Sequence, residues 1–277
     1  MSMKIRLLNF FLKYWAFLKR DFLNEISYKF SFFLQFFGIF LSILVFYFLS
    51  QLFAGSEIPY LKPYGGNYFA FVLIGIAFSN YLQVSVRSLS KNIRDAQMMG
   101  TLEALLVTQT EIPTIILGSS LYSYLLTSFQ VFVYLILGVV LFGVNFSAAN
   151  YGGAFLLLIL TITSFSSIGI ISASFIMIFK KGDPVTWMVT SLSWLLGGVF
   201  YPIQVLPDWL EKFAYLLPIT YALNGMRLAL LQGQSLKELM PNIFALFVFT
   251  VCLLPVSIFI FNKAVKKAKV EGSLAQY

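Results

Sequence analysis

Long apolar stretches recur along the chain, and the segments between them gather its charges and most of its prolines. A helix needs about 20 mostly apolar residues to cross about 30 Å of hydrocarbon. On that measure the pattern predicts six membrane-spanning helices, over residues 30–53, 67–86, 112–142, 152–179, 185–201 and 241–262. Ahead of them, Ile5, Leu8, Leu12, Trp15, Leu18 and Phe22 recur at three- and four-residue steps. That spacing predicts an amphipathic helix within 1–29, lying in the membrane interface with its aromatic residues at headgroup depth. Between the fifth and last spans, residues 202–240 are cut by Pro202, Pro207 and Pro218. Their apolar stretch 219–231 would reach only about 20 Å as a helix, too short to cross. Re-entrant half-helices or helices at the outer surface fit this region, which makes it a candidate gate. A basic tail, 263–277, ends the chain, and the whole reads as one membrane domain.

Composition supports the same class. Of the 277 residues, 59% are hydrophobic and 11% charged, whereas a soluble domain runs nearer about 25% charged. The basic residues then set an orientation. With six spans, the N-terminal segment, the loop after the second span, Lys180-Lys181 and the tail fall on one side and hold 15 of the 19 Lys and Arg residues. Positive charge stays in the cytoplasm, so both termini are expected there. No signal peptide is expected, because the uncharged stretch 7–12 is short and no small-residue cleavage site follows.

Several chemistries are excluded or weakened. Histidine is absent and Cys252, the single cysteine, lies in an apolar run, where a small packing role is expected. Neither a conventional zinc site nor an intrachain disulfide can be assembled. No Asp, Glu, Lys or Arg sits in the middle of a predicted span, which argues against a proton-coupled carrier and a charge-ringed channel. The scattered carboxylates Asp95, Glu103 and Asp208 have no catalytic spacing, so a membrane enzyme is disfavoured. There is no GxxxxGK[ST] phosphate loop either. If ATP drives this protein, another polypeptide must hydrolyse it.

The loop after the second span reads RSLSKNIRDAQMMGTLEALLVTQTEIP. Residues 94–106 have helical character, with Met98, Leu102, Leu105 and Leu106 apolar and Arg94, Asp95 and Glu103 charged. Taken alone, such a helix suits either a groove on a partner or the membrane surface. At Arg94 and the run Gly100-Thr101-Leu102-Glu103-Ala104-Leu105-Leu106, however, the chain resembles the permease subunits of type-2 ATP-binding-cassette exporters. A second likeness lies at GGVFYPIQVLPDWLEKFAYLLPITYALNGMR, residues 197–227, which is similar to that family's signature around its re-entrant external helices. The family often has a proline near Gln109 or Thr110; here the nearest is Pro113.

The resemblance implies an all-α integral membrane half-transporter, in which two copies of the chain form the pathway and two ATPase subunits power it. ATP and Mg would be held by the ATPase, with no cofactor on this chain and no nucleic-acid partner. The expected location is the inner (plasma) membrane, multi-pass. By the resemblance, Arg94, Gly100, Thr101, Leu102, Glu103, Leu105 and Leu106 would couple to the ATPase. Glu103 and Arg94 would make the polar contacts and the three leucines would fill its groove. Tyr201, Pro202, Pro207, Pro218 and Tyr221 would shape an external gate. Arg227, in the short apolar stretch, needs pairing or hydration, with Glu211, Asp208 or a substrate headgroup as candidates. The 31 phenylalanines and 15 tyrosines offer an aromatic path for drugs, lipids or sugars. The leading function is ATP-driven export of an amphipathic drug, lipid or lipid-linked glycan. Polysaccharide export stands beside it, and an ion-coupled carrier or membrane enzyme is the reading from another class.

Overall fold

The computed structural model describes residues 15–16, 18–23, 27–53, 58–98, 100, 112–179 and 183–270. Among these the chain is mostly helical, without a strand. Eight helices follow one another: α1 (Lys29–Gln51), α2 (Tyr68–Met98), α3 (Ile112–Phe142), α4 (Tyr151–Phe179), α5 (Pro184–Leu196), α6 (Asp208–Ala214), α7 (Pro218–Leu231) and α8 (Met240–Val270). Of the N-terminal segment, residues 15–16 and 18–23 are described and helical, and most of the rest lies outside the described residues.

Five helices are long and apolar enough to cross a membrane: α1, α2, α3, α4 and α8. They lie close to the apolar runs read from the sequence, and α3 matches its run to the residue. Pro113 falls in the first turn of α3, where a missing N–H breaks no helical hydrogen bond. In the apolar window of α2, 83% of the residues are buried, against 11% in α1 and α8. So α2 is the axis of the bundle, while α1 and α8 turn most of their apolar surface outward, as a lipid solvent permits. Cys252 lies on that outward surface of α8 rather than in a packed interior.

Side-chain pairs fix the direction of each helix. At one end the rings of Tyr47, Phe69 and Phe142 meet, joining the end of α1, the start of α2 and the end of α3. At the other end Leu89 and Ile93 of α2 pack with Ala173 and Met177 of α4 and Phe261, Val265 and Ala268 of α8. The first end is called distal and the second basic, since Arg87, Lys91, Lys263, Lys266 and Lys267 belong to the second. Lys29 and Val270 therefore both lie toward the basic end. Between the ends, short polar links cross apolar surfaces: Gln130 to Gln35 (3.1 Å), Tyr81 to Ser128 (2.8 Å) and Ser88 to Ser120 (3.0 Å). Such links join helices that gain little from hydrophobic burial when the solvent is itself apolar.

Three elements differ in their bounds from the expectation. The second span does not stop near residue 86, because α2 continues to Met98. The continuation is amphipathic: Leu89 and Ile93 are buried while Arg87, Lys91 and Arg94 are exposed. Arg94 therefore belongs to the end of α2 and not to a separate loop helix. The expected fifth span, 185–201, is a helix only over Pro184–Leu196, about 20 Å long and too short alone to cross. It stops at Gly197-Gly198, where Gly198 takes the left-handed φ of +74°. The last helix, in turn, begins at Met240 and carries on through Lys263, Lys266 and Lys267.

Candidate functional site

At the basic end, three helices meet on one carboxylate. Asp183 caps α5, its Oδ1 accepting from the Thr186 backbone N–H at 3.0 Å, and Pro184 supplies the preset φ of the first turn. Ser172 of α4 also donates to Oδ1, and Ser90 of α2 donates to Oδ2 at 3.0 Å. Half-burial pushes the Asp183 pKa up, but the hydrogen bonds from Ser172, Thr186 and Ser90 outweigh it and hold the carboxyl below the ordinary Asp range. The sign follows from that depression. The stabilisation is present above the unfolded-state pKa of about 4 and is lost as pH falls through the lower folded value. Asp183→Ala is expected to cost about 0.5–2 kcal/mol near neutral pH. Thermal unfolding at pH 7 and then below pH 4 checks this, and the gap from wild type should narrow in acid.

The expected coupling residues lie just beyond this junction. Arg94 is exposed on the last turns of α2. Gly100 has φ +68° and its N–H donates to the Gln97 carbonyl at 3.1 Å, the left-handed turn that ends a helix and redirects the chain. Thr101, Leu102, Glu103, Leu105 and Leu106 lie outside the described residues.

At the distal end, the chain after α5 folds back over the start of α2. Arg227 of α7 is 3% exposed, the only buried Asp, Glu, Lys or Arg among the described residues. Its partners are neither Glu211 nor Asp208, as had been expected, but backbone carbonyls. Nε donates to Phe71 O (3.0 Å), Nη1 to Gly198 O (2.8 Å) and Nη2 to Val199 O (3.0 Å). The guanidinium carbon also lies 3.4 Å from the centroid of the Phe71 ring. A planar fork can meet three carbonyls and a ring face together, where an ammonium cannot. Glu211 instead accepts from the Tyr215 hydroxyl at 3.1 Å. Gly75 makes the approach of the two segments possible, since a Cβ there would stand 2.1 Å from Val199 O.

Beside this lock lies a cleft of about 330 Å³, walled in part by Tyr64, Pro202, Tyr221, Asn224, Arg227 and Asn242. It brings together three of the expected gate residues, Pro202, Tyr221 and Arg227. The other three serve the backbone. Pro218 opens α7 as its first helical residue, Pro207 precedes α6, and the Tyr201 hydroxyl donates to Leu195 O to hold the turn after α5. Tyr64, Asn224 and Asn242 were not anticipated. Their one sequence signal was an amide inside or at the edge of an apolar run, at 224 and 242.

A family model described as ABC-2 type transporter matches residues 12–231. Among curated proteins, the inner membrane transport permease YadH of Escherichia coli (strain K12) is 28% identical over 166 residues, and that of Shigella flexneri matches to the same extent. The match covers 59% of this chain and 63% of the relative, so the chain spans less than two thirds of the curated permeases it resembles.

Proposed function

Because the chain belongs to the ABC-2 type transporter family, we propose that it is the permease subunit of an ATP-driven exporter in the inner membrane, carrying an amphipathic drug, lipid or lipid-linked glycan. The observation that carries the choice of energy source is the state of Arg227. A proton-coupled carrier needs an ionisable group inside the bundle that can take up and release its proton. The one buried cation among the described residues is engaged by three carbonyls and an aromatic ring, and has no such freedom. The driving force then comes from a partner ATPase, which binds ATP and Mg.

In this reading the basic end faces the cytoplasm, with both termini. The coupling segment 94–106 docks into the ATPase. Glu103 and Arg94 make its polar contacts, Leu102, Leu105 and Leu106 fill the groove, and Gly100-Thr101 turns the chain into it. The helix α2 runs unbroken from that segment to the Arg227 lock. Asp183 and Arg227 tie the two ends of α5 to it. A push at the docking segment therefore reaches the distal end through one rigid pair of helices. α5 and the turn after it complete a sixth crossing, and α6 and α7 form the external, re-entrant gate. Two copies of the chain and two ATPases make the working unit.

The test is affinity purification of the tagged chain from its host in mild detergent, alongside a Glu103→Lys variant matched for expression. An ATPase with a phosphate loop is expected with the wild type, and at least several-fold less with the variant. Absence of any ATPase under gentle conditions overturns the half-transporter reading. Equal recovery with both overturns the assigned contact alone.

A further inference from the structure

We propose that the distal cleft is a binding site for a neutral, hydroxyl-rich ring: the sugar headgroup of a glycolipid or the end of a free oligosaccharide. Three separate elements bring polar groups together there. Tyr64, in the 3₁₀ turn Pro59–Tyr64, donates its hydroxyl proton to Asn224 Oδ1 of α7 at 2.8 Å. Asn224 Nδ2 in turn donates to Asn242 Oδ1, at the start of α8, at 3.0 Å. Tyr64 and Asn242 are buried, so this relay is held in place by packing and not by solvent. The relay uses the two amide oxygens. Among the described residues, the Asn242 amide nitrogen has no acceptor, and Asn224 has committed one of its two N–H donors. The free N–H groups, fixed in orientation, can donate to hydroxyl oxygens, and each amide oxygen keeps a second lone pair to accept from a hydroxyl.

The charges around the cleft argue against an ionic ligand. Arg227 lies in the wall, with three of its five N–H groups committed to backbone carbonyls. Glu238 also lines the cleft, and its carboxylate accepts from the Ser235 N–H (2.7 Å) and hydroxyl (2.8 Å). A carboxylate at the rim repels an anion, and the guanidinium behind it disfavours a cation. Tyr215 and Tyr221, with ring centroids 6.1 Å apart, offer apolar faces to the C–H side of a sugar ring. The volume of about 330 Å³ is at the small end of the roughly 300–1,000 Å³ of small-molecule pockets. It admits a headgroup and not an extended chain. That the ligand is cargo rests on the exporter reading; the binding itself does not.

The full chain, purified and reconstituted in phosphatidylcholine nanodiscs without ATPase, tests the site. Maltotriose is the soluble probe, read by saturation-transfer NMR. Monogalactosyl diacylglycerol against diacylglycerol is the lipid pair, read by native mass spectrometry. Saturation transfer to the sugar ring protons, or retention of the galactolipid over diacylglycerol, is expected. Either signal should fall at least fivefold in Asn224→Leu and in Tyr221→Ala. A response to maltotriose alone identifies a free glycan as the ligand, and selective galactolipid retention alone identifies a lipid headgroup. Tyr221 is only partly buried, so Tyr221→Ala should keep the wild-type unfolding temperature and remain readable if Asn224→Leu misfolds. The proposal is overturned by no response to either probe, by signals unchanged in Tyr221→Ala, or by stronger binding of glucose 6-phosphate than of maltotriose. Sugar binding that persists in a chain that recovers no ATPase would sink the exporter reading and leave this site standing.

Discussion

Replacing Arg227 with alanine is expected to destabilise the protein by about 3–5 kcal/mol, the largest effect of any single side chain described. The change leaves Gly198 O and Val199 O buried without a donor, at about 1–3 kcal/mol each. It also removes a desolvated cation–π contact with Phe71, worth about 2 kcal/mol. Arg227→Lys should recover only part of this, because a point ammonium cannot serve three carbonyls that diverge around a planar fork. For a chain of this size a loss of 1 kcal/mol lowers the unfolding temperature by roughly 2–4 °C. A drop on the order of 10 °C is therefore expected in nanodiscs. An Arg227→Ala protein that unfolds within about 2 °C of wild type would refute the lock. A transport assay should show the same order, with alanine worse than lysine, if the distal end must hold its shape for export.

Alanine at Gly169 is expected to be the second most damaging change, although it adds one methyl group. The new Cβ would stand 2.2 Å from Ser85 O and 3.2 Å from Val86 Cα, both on the backbone of α2. A flexible side chain could swing aside, but a helix backbone can yield only by moving the whole helix. α2 and α4 must then separate along their packed length, at about 1–3 kcal/mol or more. Gly38 of α1 is the control, because nothing lies within 4 Å of a Cβ there. Gly38→Ala should be neutral or gain up to about 1 kcal/mol from helix propensity. If both alanine variants unfold at the same temperature, close approach of α2 and α4 is not what Gly169 provides. Gly75→Ala should likewise disturb the lock, its Cβ falling 2.5 Å from Arg227 Nη2. Combined with Arg227→Ala it should be less than additive, since both act on one contact.

These predictions concern two positions that the sequence treats very differently. Gly169 stands in an apolar span near the small residues Ser172 and Ala173, a pattern that suits close helix packing. Arg227 was visible as an anomaly, a charge in an apolar stretch, and the need for a partner followed at once. The partner did not, because backbone carbonyls and not charged side chains hold it. Every residue carries a carbonyl, so no pattern of side chains marks Gly198 and Val199 as acceptors. The cleft shows the same division. Tyr221 and Pro202 were expected at the gate, whereas Tyr64, more than 130 residues earlier, enters only because the turn before α2 packs on α7.

What the sequence determined by itself is what depends on composition over a short length. The positions of the long apolar helices and the shortness of the 219–231 helix follow from counting apolar residues against a uniform hydrocarbon layer. The tertiary structure alone decided where α2 ends, where α5 stops, and what neutralises Arg227. The charges after residue 86 look like a loop until Leu89 and Ile93 find α4 and α8, and burial of one face keeps the helix going. Gly197 ends α5 against Ile219, whose side chain lies 2.3 Å from where a Cβ would be. Each of these outcomes is set by a contact between residues distant in the chain, and contacts of that kind leave no local period to read.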